Sequence, residues 1–224
     1  MCDQPKHIGH DMSTAARYTF AEEIANSLTH GIGTLLAIAG LGVLCGFAAA
    51  NGDAWHITGC AIFAATLILC FLSSTLYHAV SQPRVKQVLR SLDHAAIFLL
   101  IAGTYTPITL VTLRGPWGWS IFGVVWALAL FGVIIQCTSL KRFRSLSIGL
   151  SVVMGWVVVV AARPLIDSFP PGGLLLLAAG GLCYTGGIGF YLWRSLRFHH
   201  AIWHLFVLAG AVLHFFAILL YVVP

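Results

Sequence analysis

The chain is short of charge. Asp, Glu, Lys and Arg make up only 8% of its 224 residues. A soluble domain carries about a quarter of its residues charged, so a water-soluble globule is excluded. A disulfide framework is also missing. The cysteines, Cys2, Cys45, Cys60, Cys70, Cys137 and Cys183, form no CxxC pair, and most lie inside apolar runs. They read as small apolar core residues. Residues 1–19 are polar, with Lys6 and Arg17, and lack the apolar stretch of a signal peptide. The first apolar segment is therefore expected to be retained. No linker or low-complexity segment interrupts the rest. The net charge of +5 belongs to loop asymmetry in such a chain, so no nucleic-acid partner is expected.

What the chain has is apolar length. Hydrophobic residues make up 59% of it. At ~20 residues per crossing, seven segments are long enough, at about 24–50, 54–80, 92–113, 117–138, 146–163, 172–193 and 200–223. Asn51-Gly52-Asp53, Gln82-Pro83-Arg84, Arg114-Gly115-Pro116, and Pro164 with Pro170-Pro171-Gly172-Gly173 punctuate them. All connections are short, so neighbouring helices should be antiparallel. The expected fold is all-α, a seven-transmembrane-helix bundle. Residues 1–19 form a short polar tail and 20–224 one membrane domain. Pro107 should kink the third span. The glycines of the sixth, Gly180, Gly181, Gly186, Gly187 and Gly189, should allow close helix contact.

Seven spans divide the basic residues unevenly. Lys6, Arg17, Arg84, Lys86, Arg90, Lys141, Arg142, Arg144, Arg194 and Arg197 fall on one side, and Arg114 and Arg163 on the other. The positive-inside rule places the N-terminus in the cytoplasm and the C-terminus outside.

Polar residues inside spans are costly and mark sites. The stretch around which they gather is Phe198-His199-His200-Ala201-Ile202-Trp203-His204. His200 and His204 share a helix face one turn apart, as metal ligands do. With 10 histidines in the chain, chance gives roughly 0.4 such pairs, so context must decide. Glu23, Asn26, Thr29 and His30 open the first span, Ser74 and His78 close the second, and Asp93 opens the third. All fall within ~10 Å of the same membrane face, given the rise of a helix. His7, His94 and His199 read as interfacial. His56 belongs to the opposite face, and His214 is a core histidine ~15 Å deeper than His204.

This set suits zinc, whose catalytic sites combine three protein ligands with an open position. His78, His200 and His204 are the candidate ligands. Asp93 is placed to accept a hydrogen bond from the attacking water. Ser74 can bond Asp93, water or a substrate oxygen. Glu23, Asn26, Thr29 and His30 are candidates to hold the ligands from behind. The threonines of the third span, Thr104, Thr106, Thr109 and Thr112, are expected to bond neighbouring helices.

Glu23-x2-Asn26-x2-Thr29-His30, Ser74-x3-His78, Asp93 and His200-x3-His204 together resemble the signature of the hemolysin III family. That family belongs to the progestin and adipoQ receptor group, alongside adiponectin receptors and alkaline ceramidases. The resemblance covers about residues 20–223. The runs Leu92-Asp93-His94-Ala95-Ala96-Ile97 and Ala102-Gly103-Thr104-Tyr105-Thr106-Pro107 are similar to bacterial members in particular. The resemblance implies seven spans with the N-terminus inside, a bacterial inner-membrane location, and zinc on His78, His200 and His204 beside Ser74 and Asp93. Three functions follow as expectations. The first is a zinc-dependent hydrolase of a lipid amide, with membrane lipid as substrate or ligand. The second is a non-enzymatic membrane regulator with structural zinc. The third is a pore-forming cytolysin, which would have to be a homo-oligomer.

The charge split makes the topology testable. A reporter enzyme active only outside the cytoplasm should be active when fused at Pro224 and inactive when fused after Arg144. The reverse pattern would overturn the orientation.

Overall fold

A computed structural model describes residues 18–224. Cys2, Lys6, His7 and Arg17 lie outside the described residues. Within them the chain is all-helical, and seven helices are long and apolar enough to cross a membrane. They run Phe20–Asn51, Ala54–Ala79, Pro83–Thr112, Pro116–Cys137, Arg144–Ser168, Pro171–Leu192 and His199–Tyr221.

Local chemistry sets the helix starts. Thr19 and Glu22 form a reciprocal capping box at the first helix, and Asp53 and His56 do the same at the second. Prolines sit at the first position of the third, fourth and sixth helices, where a missing N–H costs nothing. Pro83 therefore starts a helix where the sequence suggested a loop. The third helix begins nine residues ahead of the expected span, and its added turns carry Arg84, Lys86 and Arg90. Pro164 likewise lies inside the fifth helix, which continues to Ser168.

Pro107 does disturb the third helix. It ends the regular α-helix, and a π-helical turn, Ile108–Thr112, follows. The fifth helix changes to a 3-10 turn over Val157–Ala161. Tyr105 spans both irregularities. Its hydroxyl donates to Gly155 O at 2.8 Å and accepts from Val158 N–H at 3.1 Å. That satisfies backbone groups for which the hydrocarbon offers no water.

The first helix packs on the second, the second on the third, and the third on the fourth. The seventh closes on the first and pairs with the sixth along its length. The third helix is the most buried of the seven and the fifth the least. Large apolar side chains on the perimeter, such as Leu35, Val160 and Leu175, point outward as a bilayer requires.

Small residues decide the close contacts. Gly180 faces the His214 ring and Gly187 the Trp203 and Phe206 side chains, whereas Gly186 and Gly189 meet nothing within 4 Å. Helix contact thus explains only part of that glycine set. The third-span threonines also differ from expectation. Thr104, Thr106 and Thr109 each donate to the carbonyl four residues earlier in their own helix. Among the described residues only Trp126 Nε1, donating to Thr106 Oγ1 at 3.1 Å, reaches one of them from another helix. Among the cysteines, Cys60 and Cys70 are buried, Cys45 and Cys183 are half-buried, and Cys137 is exposed rather than in the core.

A Cβ on Gly103 would run into Thr66 Oγ1, whereas one on Gly46 meets open space. Gly103→Val should cost about 1–3 kcal/mol through overpacking. Gly46→Ala should be neutral or mildly stabilising, since Ala favours helix. Melting temperatures of the detergent-solubilised proteins check the contrast.

Candidate functional site

Four helix ends meet at the basic end of the bundle: the starts of the first, third and seventh helices and the finish of the second. There His78, His200 and His204 come together. Each offers one ligand atom, and these atoms lie within 4.8 Å of one another. All three side chains are buried. The group could hold a metal ion.

Hydrogen bonds fix which nitrogen faces the centre. His78 Nδ1 lies 2.6 Å from Glu23 Oε2. A carboxylate only accepts, so Nδ1 carries the proton and Nε2 keeps its lone pair. His204 Nδ1 lies 3.1 Å from both Asn26 O and Thr29 Oγ1. The Thr29 hydroxyl donates to Ala25 O and Asn26 O, each at 2.9 Å. Its oxygen therefore accepts from His204, whose Nε2 is likewise left to a metal. The first helix thus supplies acceptors to two of the three histidines. Backing of this kind orients metal-ligating imidazoles.

Glu23 has a second partner. Lys86 Nζ stands 2.9 Å from Glu23 Oε1 and donates to Tyr77 O at 3.0 Å and Val80 O at 3.2 Å. It thereby caps the second helix just past His78. Sequence reasoning missed Lys86 because Pro83 was read as a loop. It also missed Tyr18, which stacks on His200 with ring centroids 5.0 Å apart. An aromatic one residue ahead of a helix cap gives no such signal. His199 is buried, and its Nδ1 donates to Phe190 O at 3.2 Å.

Asn26 is fully buried and its Nδ2 lies 3.4 Å from His78 Nδ1. His30 was expected as a hydrogen-bonding neighbour. It instead stacks on His204, with centroids 3.6 Å apart and planes 11° from parallel. Neither of its ring nitrogens has a hydrogen-bond partner among the described residues. Ser74 is also fully buried, with no partner for its Oγ among those residues.

A cavity of about 170 Å³ opens beside the cluster. Asp93, His30, His200 and His204 border its polar end, and Ser74 and His78 do not reach it. Its walls are otherwise mostly apolar, chiefly from the third, fifth, sixth and seventh helices, with Thr104, Gln136, Ser147, Ser151 and Thr185 as polar exceptions, and it extends to Tyr184 and His214. His214 donates its Nε2 proton to Leu177 O at 3.1 Å and lies deep in the cavity, apart from the cluster. Asp93 is 9% exposed, and its Oδ2 lies 3.7 Å from His94 Nδ1. Three histidines, a carboxylate and an apolar cavity can together bind a metal and an amphiphile at one place.

Comparison with known proteins agrees on the scale of the whole chain. A family model described as Haemolysin-III related matches residues 18–215. Hemolysin-3 of Bacillus cereus is 45% identical over 203 residues, 91% of this chain and 93% of the relative. A Hemolysin-3 homolog of Bacillus subtilis is 46% identical over 206 residues, 92% of this chain and 97% of the relative. The human monocyte to macrophage differentiation factor is 28% identical over 221 residues, 95% and 90% of the two chains.

His200→Ala or His204→Ala should lose most of the bound metal, because two ligands cannot replace three. His214→Ala should keep it. Glu23→Gln, which removes the charge behind His78, should weaken metal affinity about 10- to 100-fold. Metal content after dialysis against a graded chelator reads all of these. Emptying by His214→Ala as complete as by His204→Ala would overturn the ligand set.

Proposed function

Since the chain belongs to the Haemolysin-III related family, we propose that it is a zinc-dependent hydrolase of a lipid amide or related bond. It works at the cytoplasmic side of the bacterial inner membrane, with the N-terminus inside. The observation that carries this reading is the shared wall. Asp93, His200 and His204 border the same apolar cavity, so a lipid chain lying there presents its head to the cluster.

The donor set fits zinc. Imidazole nitrogens suit it, and no fourth protein donor joins the three histidines among the described residues. Tetrahedral bonds of 2.0–2.1 Å want ligand nitrogens about 3.3 Å apart. The three donor atoms lie within 4.8 Å of one another, so the imidazoles would draw closer to hold the ion. Zinc, when bound, supplies Lewis acidity and brings the pKa of a water toward ~7.

The chain's own residues supply the rest. Glu23, Asn26 and Thr29 hold His78 and His204 with their Nε2 atoms inward. The apolar walls exclude bulk water and align the acyl chain. The Asp93 carboxylate takes up a proton at the cavity's polar end and can return it to the leaving amine. Ser74 Oγ, one turn before His78, still has a hydrogen bond to make.

The regulator reading has one supporting observation. The cluster and its backing tie the first, second and seventh helices, which a purely structural metal would also do. The cytolysin reading, suggested by the names of the Bacillus relatives, finds less. The hydroxyls of Thr104, Thr106 and Thr109 are spent on their own helix.

Asp93→Asn separates enzyme from structural metal. It keeps the shape and removes the base, whose role is worth roughly 100- to 10,000-fold in rate. Zinc content and melting temperature should stay near those of the unmutated protein, while fatty-acid release from a lipid-amide panel is lost. Joint loss of zinc and stability would favour the structural reading. An unmutated protein that releases nothing across the panel would count against hydrolysis.

A further inference from the structure

Beside the histidine cluster, at the basic end, lies a second depression of about 590 Å³. Arg90, Lys141, Arg142, Arg144, Arg194 and His199 line it, and no acidic residue joins them among the described residues. Three separate segments converge to build it: the start of the third helix, the connection between the fourth and fifth, and that between the sixth and seventh. We propose that this vestibule binds the phosphate of an anionic phospholipid, one of whose acyl chains reaches in part into the adjoining apolar cavity.

The positive-inside bias alone would scatter these charges over solvated loops. Arg84 behaves so and stays outside the depression, and Lys86 is paired with Glu23. The vestibule cations differ. Among the described residues no carboxylate lies within 4.0 Å of Arg90, Lys141, Arg142 or Arg194. Gathering these four like charges without a counter-charge among the described residues is unfavourable unless an anion sits among them.

The walls are also held in place. The Arg144 guanidinium lies 4.0 Å from the Tyr191 ring centroid and donates to Tyr191 O at 3.0 Å. Lys141 Nζ donates to Ser91 Oγ at 3.2 Å, tying the connection to the third helix. Planar guanidinium groups match phosphate oxygens in pairs, and basic pockets between membrane helices hold such headgroups.

Continuity with the cavity selects a lipid over free phosphate. His94 and Tyr191 border both spaces. A phosphate in the vestibule therefore sits where the chain of the same molecule can enter the apolar cavity past Asp93 and His200. The inference goes beyond the hydrolase reading, because binding needs no turnover.

The test uses the purified full chain in detergent and a fluorescent phosphatidylglycerol, competed with unlabelled phosphatidylglycerol, phosphatidylcholine and inorganic phosphate. Phosphatidylglycerol should compete about 25-fold better than phosphatidylcholine, as two uncancelled charges at about fivefold each require. Its advantage should shrink as salt rises. The Arg90→Gln, Arg142→Gln, Arg194→Gln variant should lose that advantage while keeping its metal and its phosphatidylcholine binding. Where the triple variant does not insert, Arg142→Gln alone should show a several-fold loss. Three results overturn the proposal: no preference for phosphatidylglycerol in the unmutated protein, a preference untouched by the substitutions, or displacement of the probe by inorganic phosphate as effective as by lipid. Selective binding without any product release would sink the hydrolase reading and leave the vestibule standing.

Discussion

A polar group inside a bilayer has no water to turn to, and every irregularity of this structure is shaped by that constraint. It makes the chain all-helical, since helices satisfy their backbone internally. It turns the third-span threonines back onto their own carbonyls. It recruits Tyr105 to the broken fifth helix, where one hydroxyl serves Gly155 O and Val158 N–H. At the basic end it joins Glu23, Asn26 and Thr29 to His78 and His204. The same contacts that remove the cost of burying these groups also fix the imidazole tautomers. Packing and site chemistry are therefore one event there, and the first helix acts as the template on which the second and seventh are registered.

Where the constraint is left unmet, function is the natural explanation. His30 stacks on His204 with both nitrogens unbonded, and Ser74 Oγ is buried without a partner among the described residues. Both lie at the histidine cluster. Tyr184 Oη and His214 Nδ1, also without partners there, lie toward the cavity's inner end. Each orphan costs about 1–3 kcal/mol if it stays dry. A protein made only for stability would have apolar residues at such positions.

The spans were legible in the sequence because hydrocarbon thickness sets helix length, and the polar set because ionisable residues are rare in spans. His78, His200 and His204 could be brought to one depth by counting residues along helices of known direction. Three things were not legible. Pro83 opens a helix rather than a loop, because the same residue type breaks a helix interior and starts a helix end. His199 is buried by the loop that folds back toward Phe190, which no periodicity encodes. The vestibule is built from loops that sequence reading treats only as charge counts. Arg90, Arg142 and Arg194 fall on the same side by topology, but only folding puts them around one space.

That convergence bears on why the site lies at one end of the bundle rather than midway along it. Half of a ~30 Å hydrocarbon core is ~15 Å. From His200 to His214 the seventh helix advances about 20 Å at its ordinary rise, and both residues border the cavity. A cavity of about 170 Å³ holds a segment of an apolar chain rather than a whole one, and in the proposed reading that segment lies along the seventh helix with its ester or amide end near the histidines. A cluster at mid-depth would meet methyl ends, which offer no bond to cleave or recognise. A cluster in the aqueous loops would meet headgroups without the apolar wall that holds the chain. In the proposed reading, placing His78, His200 and His204 near one end of the bundle, between a basic vestibule and an apolar cavity, brings the polar junction of a lipid to the histidines without lifting its tail from hydrocarbon.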